Sequence, residues 1–331
     1  MPETKLIASR FRTAALSLTA LFFGLTSSVS SFAQNGGTIT FVVPYGPGGP
    51  SDLVARVLAT QVEPILKQTI IVVNKPGAGS AIGARIVAAA APDGNTILIG
   101  NVSTFTIIPA IMKKPGYDPL KSLAPIAKVS DSGIVLLATT SFAPNSMKEL
   151  VAYAKANPDK VFFSSAGTGN SAHLMGELLK TKAGVDIVHV PYKGGSEALA
   201  ALRGGQVQIF FSDVSIALGM IKEKQVKALA VTSRSRLPLL PDVPTMVELG
   251  YPDMVLSNWV GAAAPAGTDP KVLNRLESAI NEAIKTREFQ AFVEKAGGDA
   301  KPGTSREFAA LIASEYKRWH EIAEKAGVSL D

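Results

Sequence analysis

Cysteine is absent from the 331-residue sequence, and histidine occurs only three times, at His173, His189 and His320. Without cysteine the protein has no disulfide scaffold, no thiolate-ligated zinc or iron–sulfur site and no thiol nucleophile. The histidines are far apart in the sequence and form no paired-ligand motif, so we expect no metal site. The sequence also lacks the G-x-S-x-G and H-E-x-x-H motifs, and no carboxylate pair has a spacing typical of acid–base catalysis. We therefore expect no catalytic residues.

Charge is sparse and unclustered. Charged residues make up 18% of the chain, and the net charge of +6 arises from 33 basic and 27 acidic residues. No basic run follows the first dozen positions, whereas nucleic-acid-binding proteins concentrate Lys and Arg in patches. No segment after residue 33 approaches the ~20 consecutive apolar residues of a membrane-spanning helix. We therefore expect no nucleic-acid partner and no membrane span in the mature chain.

The first 33 residues have the pattern of a secretory signal peptide. Lys5, Arg10 and Arg12 form a basic start, residues 13–29 are apolar and small, and Ser31-Phe32-Ala33 is a small-x-small cleavage site. The alternative is an N-terminal membrane anchor, but the apolar stretch is short and interrupted by Ser and Thr. We predict cleavage after Ala33 and export to the periplasm, where an absence of free thiols is an advantage.

After this leader, short apolar runs rich in β-branched residues alternate with helical patterns, which predicts an α/β fold with mainly parallel sheets. The predicted strands are Thr38–Pro44, Thr69–Asn74, Thr96–Gly100, Gly133–Thr139, Lys160–Ser165, Ile187–Tyr192, Val207–Phe211 and Val226–Thr232. The predicted helices are Ser51–Leu66, Ala81–Ala90, Ser146–Ala156, Ala172–Ala183, Ser196–Gly204, Lys271–Lys295 and Ser305–Ala326. The last two are the longest, and we expect no strand after they begin.

Two segments are candidates for chain crossings between domains. Thr139–Pro144 follows an apolar run, and Asn258–Ala262 precedes a segment rich in Pro and Gly. If both are crossings, residues 34–139 and 260–331 form a discontinuous first domain, and residues 140–259 form the second. Such a linkage is a natural hinge with a cleft between the domains.

Two strand-to-helix turns are rich in glycine, at residues 44–52 and 164–173. Glycine permits positive φ and a close approach of the backbone to a ligand. The free N–H groups of the following helix then form an anion site. Neither turn contains a basic residue before its helix, so two such turns facing each other would hold a carboxylate through neutral donors alone. The alternative is a pair of capped connections that bind nothing.

A nucleotide site is a weaker interpretation of these turns. Residues 167–172 match G-x-G-x-x-A, and Asp186 lies 19 residues after the first glycine. However, Asp186 precedes a predicted strand, whereas the acidic residue of a dinucleotide site ends one. A third glycine-rich turn at residues 74–83 fits this motif imperfectly, and no turn continues into the Lys-Ser or Lys-Thr of a P-loop. We expect no cofactor.

Eight segments resemble, in order, motifs of the Bug-type receptors, which are the extracytoplasmic solute-binding components of tripartite tricarboxylate transporters. These segments are Phe41–Gly49, Asn74–Gly79, Ala91–Thr96, Ser165–Gly169 with His173-Leu174, Val190–Gly195, Leu229–Thr232, Pro241–Met246 and Ala264–Gly267. The resemblance covers essentially the whole mature chain. It implies a type II periplasmic binding protein fold, with two α/β domains joined by two crossing strands and a ligand cleft between them. It also implies a small organic carboxylate as ligand and membrane permease subunits as partners, and we expect a monomer.

The same resemblance implies which residues bind the ligand. The residues implied are Tyr45, Gly48, Gly49, Ser51 and Asp52 in the first turn; Gly167, Thr168, Gly169, Asn170 and Ser171 in the second; Asn101, Ser103, Thr104 and Phe105 after the third strand; and Tyr192 and Asp213 after strands of the second domain. Family members commonly carry Phe-Asp-Asn where this chain has Phe211-Ser212-Asp213, so its acidic group is displaced by one position. Trp259 is either an apolar wall of the site or a packing residue of the hinge.

Two other functions remain open at this level. One is an exported hydrolase on the same scaffold, with His173 acting on Ser171 or Thr168. The other is a ligand sensor for a membrane signalling partner. The sequence does not separate transport from sensing, nor does it identify the carboxylate.

Overall fold

The computed structural model describes residues 37–326 and 329–330. The predicted signal peptide and its cleavage site after Ala33 lie outside the described residues. The strands are β1 Ile39–Val43, β2 Ile70–Asn74, β3 Thr96–Asn101, β4 Leu123–Ser132, β5 Ile134–Thr139, β6 Phe162–Ser165, β7 Val188–Pro191, β8 Ile209–Asp213, β9 Val226–Val231, β10 Val260–Pro265 and β11 Gly298–Asp299.

The predicted helical segments are helical in the structure, and two further helices, Ile108–Ile111 and Val214–Lys222, were not predicted. They are α1 Pro50–Leu66, α2 Ala81–Ala88, α3 Ile108–Ile111, α4 Met147–Ala156, α5 Ser171–Ala183, α6 Gly195–Arg203, α7 Val214–Lys222, α8 Pro270–Ala283, α9 Arg287–Lys295 and α10 Ser305–Ala326. A short 3₁₀ turn at Ala78–Ser80 precedes α2, and a π-helical turn at Ser103–Ile107 precedes α3. Among residues 37–326 and 329–330, no helix has the length and apolar character that crossing a lipid bilayer requires.

In the described part of the chain the strands form two mixed sheets. The first has the order β11-β4-β10-β3-β1-β2, and the second has the order β7-β6-β8-β5-β9. β1 is parallel to its neighbours β2 and β3, and β6 is parallel to β7 and β8. β10 is antiparallel to β3 and β4, and β5 is antiparallel to β8 and β9. The prediction of mainly parallel sheets is therefore wrong, because the central strand β10 and the strand β5 run against the βαβ units.

All eight predicted strands are confirmed, with ends within two residues of the predicted ones. The expectation of no strand after residue 271 is wrong, because β11 lies at Gly298–Asp299. The predicted helix at residues 271–295 is two helices, since the Thr286 hydroxyl accepts the Phe289 N–H and starts α9 afresh. β10 was not predicted as a strand because its central residues are alanines, which favour helices.

The chain crosses between the two sheets twice. β4 ends at Ser132 in the first sheet and β5 begins at Ile134 in the second, so the first crossing is at Gly133. Gly133 forms an antiparallel bridge with Ser257, which precedes β10 on the return. The predicted boundary at residue 139 assigned β5 to the first domain, whereas β5 pairs within the second sheet. By its internal contacts, the chain from Thr38 onward is one compact unit, and the division into domains stays a prediction.

The first sheet is covered by apolar side chains on both faces. Along β1, Ile39, Phe41 and Val43 pack with α1 and α8 in one cluster, whereas Val42 faces the other cluster. This alternation follows the two-residue period of a strand. The second cluster runs from Val42 to the fully buried strand β5, so both sheets share it.

Candidate functional site

A cavity opens where the carboxyl ends of strands from both sheets meet the start of the following helices. Its empty volume is about 490 Å³, including the part open to solvent. Seven of the sixteen expected site residues line it: Tyr45, Gly49, Ser51, Asn101, Asn170, Ser171 and Asp213. Nine further residues complete the lining: Pro50, Ile134, Ala166, Ala172, Gly195, Phe210, Phe211, Ile216 and Asn258.

Besides α7, whose start is capped by the Asp213 side chain, three helices present their N-terminal residues to this cavity. They are α1 at Gly49–Ser51, α5 at Asn170–Ala172 and α6 at Gly195. First-turn N–H groups have no acceptor within their own helix, and helix dipoles add partial positive charge there. Among the described residues that line the cavity, no side chain is Lys, Arg or His. The lining therefore favours an anion without supplying a cation.

Asp52 does not line the cavity, and its hydrogen bonds fix the first turn. Its carboxylate accepts hydrogen bonds from Gly48 N–H at 2.9 Å, from Arg56 Nε at 3.0 Å and from Asn74 Nδ2 at 2.9 Å. Burial raises the pKa of Asp52, but the hydrogen bonds from Arg56, Gly48 and Asn74 outweigh it, so the net pKa is lowered. Gly48 has φ of +75°, which suits glycine. Gly48 and Asp52 therefore stabilise the backbone conformation of the turn without lining the cavity.

Tyr45 and Asn101 form a polar pair at the cavity wall. The Tyr45 hydroxyl donates to Asn101 Oδ1 at 2.8 Å and lies 3.3 Å from Thr104 Oγ1. Asn101 Oδ1 also accepts the Ser103 N–H at 3.1 Å. With its oxygen occupied, Asn101 has Nδ2 as a donor that makes no hydrogen bond to any described residue. Burial raises the pKa of Tyr45, although hydrogen bonds from Thr104 and others oppose it, so the phenol stays protonated.

Ser103, Thr104 and Phe105 lie behind the cavity rather than in its lining. The Ser103 hydroxyl accepts the backbone N–H of Ser171 at 2.8 Å and so joins the segment after β3 to the start of α5. Phe105 stacks on Trp259 at 5.8 Å, and both rings meet Phe308 edge-on. Trp259 therefore packs in the interior beside the second crossing.

Two histidines hold the second turn in place. The Gly169 N–H donates to His173 Nδ1 at 3.0 Å, and the His173 N–H donates to Asn170 Oδ1 at 3.0 Å. The His173 ring stacks on His189 with centroids 4.0 Å apart, and His189 Nε2 lies 2.6 Å from Ser165 Oγ. Burial lowers the pKa of both rings, that of His189 to about 3, so both are neutral.

The geometry of His173 bears on the hydrolase alternative. Its Nδ1 is occupied by the Gly169 N–H, and its Nε2 faces Glu177 Oε1 at 3.7 Å. Neither ring nitrogen hydrogen-bonds a hydroxyl of Ser171 or Thr168 among the described residues. His173 is thus a structural residue of the turn, and it does not have the nucleophile–base arrangement that hydrolysis requires.

Two of the other predicted residues of the second turn, together with Tyr192, face a neighbouring cavity. Gly167, Thr168 and Tyr192 line it together with the 3₁₀ turn before α2, and its empty volume is about 730 Å³. It shares Tyr45 and Ala166 with the first cavity. Gly169 lines neither of these two cavities, and a Cβ added there would collide with Leu330 and Ile108.

Asp213 is the single carboxylate among the described residues of the first cavity's lining. Its Oδ2 accepts hydrogen bonds from Ser132 Oγ at 2.5 Å and from Asn258 Nδ2 at 2.6 Å. Its Oδ1 accepts the Ser215 N–H at 2.8 Å and caps α7. Burial raises the pKa of Asp213, and the hydrogen bonds from Ser132, Ser215 and Asn258 oppose this rise. Ser132 and Asn258 belong to the two crossing segments, so Asp213 ties both crossings to the second sheet.

The nine lining residues that sequence reasoning did not assign are mostly apolar or backbone contributors. Ile134, Phe210, Phe211 and Ile216 form apolar walls beside the crossings. Asn258 adjoins Trp259 and is the first residue of the predicted crossing Asn258–Ala262. That position in the sequence could have identified it as a lining residue. The described residues contain no group of three or more His, Asp or Glu side chains arranged to hold a metal ion.

Comparison with known proteins assigns the chain to a family. A sequence profile described as the tripartite tricarboxylate transporter family receptor matches residues 54–328. The chain belongs to this receptor family. The predicted family is thereby confirmed.

Solved structures of related receptors have the same fold. The periplasmic binding protein BugD is 37% identical, with a TM-score of 0.85 over 88% of this chain and 98% of BugD. MatC from Rhodopseudomonas palustris, with bound malate, is 32% identical, with a TM-score of 0.84 over 86% of this chain and 98% of MatC. A second R. palustris protein, solved with adipate, is 28% identical, with a TM-score of 0.84 over 88% of this chain and 98% of its own. The predicted α/β fold of a periplasmic binding protein is confirmed.

Proposed function

We propose that this receptor binds a small organic carboxylate in the cavity between the two sheets and delivers it to the permease subunits of a tripartite transporter. One observation carries the proposal: N-terminal residues of α1, α5 and α6 line one cavity whose described lining has no basic side chain. Related receptors solved with malate and adipate support the same ligand chemistry.

The hydrogen-bond donors at the cavity are sufficient in number and strength to bind a carboxylate. A hydrogen bond to a charged group contributes about 1.5–3 kcal/mol, and a helix end adds about 0.3–2 kcal/mol. Backbone N–H groups at Ser51 and Ala172 and the Nδ2 of Asn101 are the donors we assign to the carboxylate. The apolar walls then hold the carbon skeleton.

Ligand binding favours the closed arrangement of the two sheets because both sides supply donors. Contacts beside the cavity fit a closed form: the Ser196 hydroxyl donates to Gly48 O at 2.7 Å, and an added Cβ at Gly46 would lie 3.3 Å from Lys193 O. We place the hinge at Gly133 and Ser257, which makes the domains residues 34–132 with 258–331 and residues 134–256.

Delivery to a permease and location in the periplasm rest on family membership and on the leader of the sequence. The leader would be removed after Ala33. Mass spectrometry of the chain exported from cells tests that site directly, since cleavage elsewhere changes the measured mass. Uptake of labelled ligand in a strain lacking the gene tests delivery, and a change in transcription without a change in uptake supports sensing instead.

The binding site is tested with protein purified from the periplasm. Thermal shift with a panel of carboxylates identifies a ligand, because saturation at 100 times the dissociation constant adds about 2.7 kcal/mol to the free energy of unfolding. Calorimetry then compares the wild type with Ser171→Asp, which introduces a like charge at α5. We expect the variant to fold and to lose binding. Unchanged affinity in the folded variant would overturn this site.

A further inference from the structure

One side of the cavity lining is polar. Asp213 and Asn258 lie there beside the apolar walls, 7% and 5% exposed. Asn258 gives its Nδ2 hydrogen to Asp213 Oδ2. Its Oδ1 is buried and has no hydrogen-bond partner among the described residues. Buried acceptors are nearly always paired, so this oxygen indicates a missing donor.

The orientation of the Asn258 amide is fixed by its neighbour. Asp213 Oδ2 accepts from both Ser132 Oγ and Asn258 Nδ2, so reversing the amide would set two oxygens against each other. The main-chain N–H of Asn258 is also engaged, since it donates to Ser132 O at 2.9 Å. Oδ1 is therefore the one side-chain atom of Asn258 still able to accept a hydrogen bond.

The neighbouring lining does not supply the missing donor. Ile134, Phe210, Phe211 and Ile216 are apolar, and the donors assigned to the carboxylate come from α1, α5 and Asn101. The carboxylate of Asp213 also opposes a second anion at this side of the cavity. A donor group on the ligand or an ordered water would pair with this oxygen, and matched ligands distinguish the two.

We propose that the ligand is a small carboxylate carrying a hydroxyl or ammonium group, and that Asn258 Oδ1 accepts a hydrogen bond from that group. This assignment rests on the proposed carboxylate-binding function and narrows it. Asp213 acts as a positioning residue, because it holds the Asn258 amide through Oδ2. A carboxylate of the same skeleton without a donor leaves Asn258 Oδ1 unpaired and binds more weakly.

The test uses matched ligands that differ in one group. Calorimetry measures the affinities of propionate, lactate and alanine; of succinate, malate and aspartate; and of phenylpropionate, phenyllactate and phenylalanine. If the carboxylate panel yields a different skeleton, that compound is compared with its own hydroxyl and amino derivatives. We expect at least one donor-bearing member of the bound set to bind tenfold or more tightly than the member that lacks a donor.

A variant assigns the preference to Asn258. In Asn258→Leu we expect the donor-bearing ligand to fall to the affinity of its donor-free partner, which itself changes less than threefold. Asn258→Ala also removes the acceptor but sets no oxygen against Asp213 Oδ2, so it loses the preference too, and its unfolding curve shows whether the fold tolerates a change at this position. Asn145→Leu, a change at an exposed loop asparagine remote from the cavity, leaves all affinities unchanged.

The outcomes separate the two proposals. If no carboxylate binds the wild type, the proposed function and this inference both fail. If donor-free and donor-bearing ligands bind equally, or if Asn258→Leu retains the preference, the carboxylate site stands and the role of Asn258 is overturned. If Asn258→Leu does not fold, the wild-type comparison and Asn258→Ala decide the question.

Discussion

The hydroxyl of Ser103 accepts the backbone N–H of Ser171 at 2.8 Å, and this bond joins the segment after β3 in the first sheet to the helix α5 that covers the second. Both residues are buried. The bond spans the two sides of the cavity, so the position of one anion-binding helix depends on a serine that does not line the cavity.

Replacing this serine should weaken binding indirectly. In Ser103→Ala the buried Ser171 N–H loses its acceptor, which reduces the free energy of unfolding by about 1–3 kcal/mol. Because α5 is then less fixed, we expect ligand affinity to fall about fivefold or more, measured by calorimetry. The matched control is Ser146→Ala, which removes the hydroxyl that caps α4 through Glu149 N–H. The control should lose about 1 kcal/mol of stability and keep its affinity; equal affinity losses in both variants would contradict the role of Ser103.

A substitution at Gly79 tests the contact between the 3₁₀ turn at Ala78–Ser80 and the glycine-rich turn at residues 164–173. It has φ of +65°, and an added Cβ would collide with Thr168 O and Ile108. Gly184 has nearly the same φ, +61°, with no atom within 4 Å of an added Cβ. Alanine at either position costs about 1 kcal/mol through backbone strain. We expect Gly79→Ala, but not Gly184→Ala, to lower ligand affinity by tenfold or more. Gly79→Ala should also raise the radius of gyration of the ligand-bound protein, measured by solution scattering. A Gly79→Ala variant with full affinity would show that this contact is dispensable.

The two stacked histidines predict acid sensitivity. Burial lowers the pKa of His189 from its usual 6.5 to about 3, so the unfolded chain binds an additional proton between these values. Stability should therefore be lost as pH falls from about 6.5 toward 3, by up to about 1 kcal/mol per pH unit, with allowance for partial exposure of the ring. Chemical denaturation at several pH values measures the slope. We expect His189→Gln to reduce it; a His189→Gln protein with the wild-type slope would refute this origin.

Tyr45 orients the amide of Asn101 through its hydroxyl. In Tyr45→Phe the Oδ1 of Asn101 still accepts the Ser103 N–H, so the fold is kept, but the amide loses its strongest partner. We expect affinity to decrease about fivefold, which corresponds to about 1 kcal/mol. Calorimetry checks this value. Tyr153→Phe, on α4 and packed edge-on against Phe142, is the control, and a comparable decrease there would mean that the effect is general.

The two glycine-rich turns could be predicted because glycine and helix-capping residues indicate the backbone conformation of the turn. Glycines at 48, 167 and 169 have positive φ, and Asn170 caps α5. A capped helix start after a strand end is a local property, and local properties can be derived from adjacent residues. The lining of the cavity by both helix starts agrees with that expectation, although the ligand-binding roles of these residues stay predictions.

Features that depend on pairing between distant segments could not be predicted from the sequence. Val214–Lys222 follows β8 with no loop, because Asp213 both ends the strand and caps α7, so no turn signal marked this helix. β5 looked like the last strand of a first domain because β4, interrupted by Pro125, was not recognised before it. Because β5 belongs to the second sheet, Ile134 lines the cavity and Asn258 donates a hydrogen bond to Asp213. Neither contact can be predicted from residues adjacent in the sequence.

The apolar cluster shared by both sheets has a thermodynamic consequence. Val42 of the first sheet and residues 134–138 of β5 in the second belong to the same packed interior, together with Trp319 of α10. Neither half can melt without exposing the hydrocarbon surface of the other. A scanning calorimeter should therefore record a single endotherm for the empty receptor, its calorimetric enthalpy equal to the van't Hoff enthalpy, rather than the two separate transitions of loosely tethered lobes.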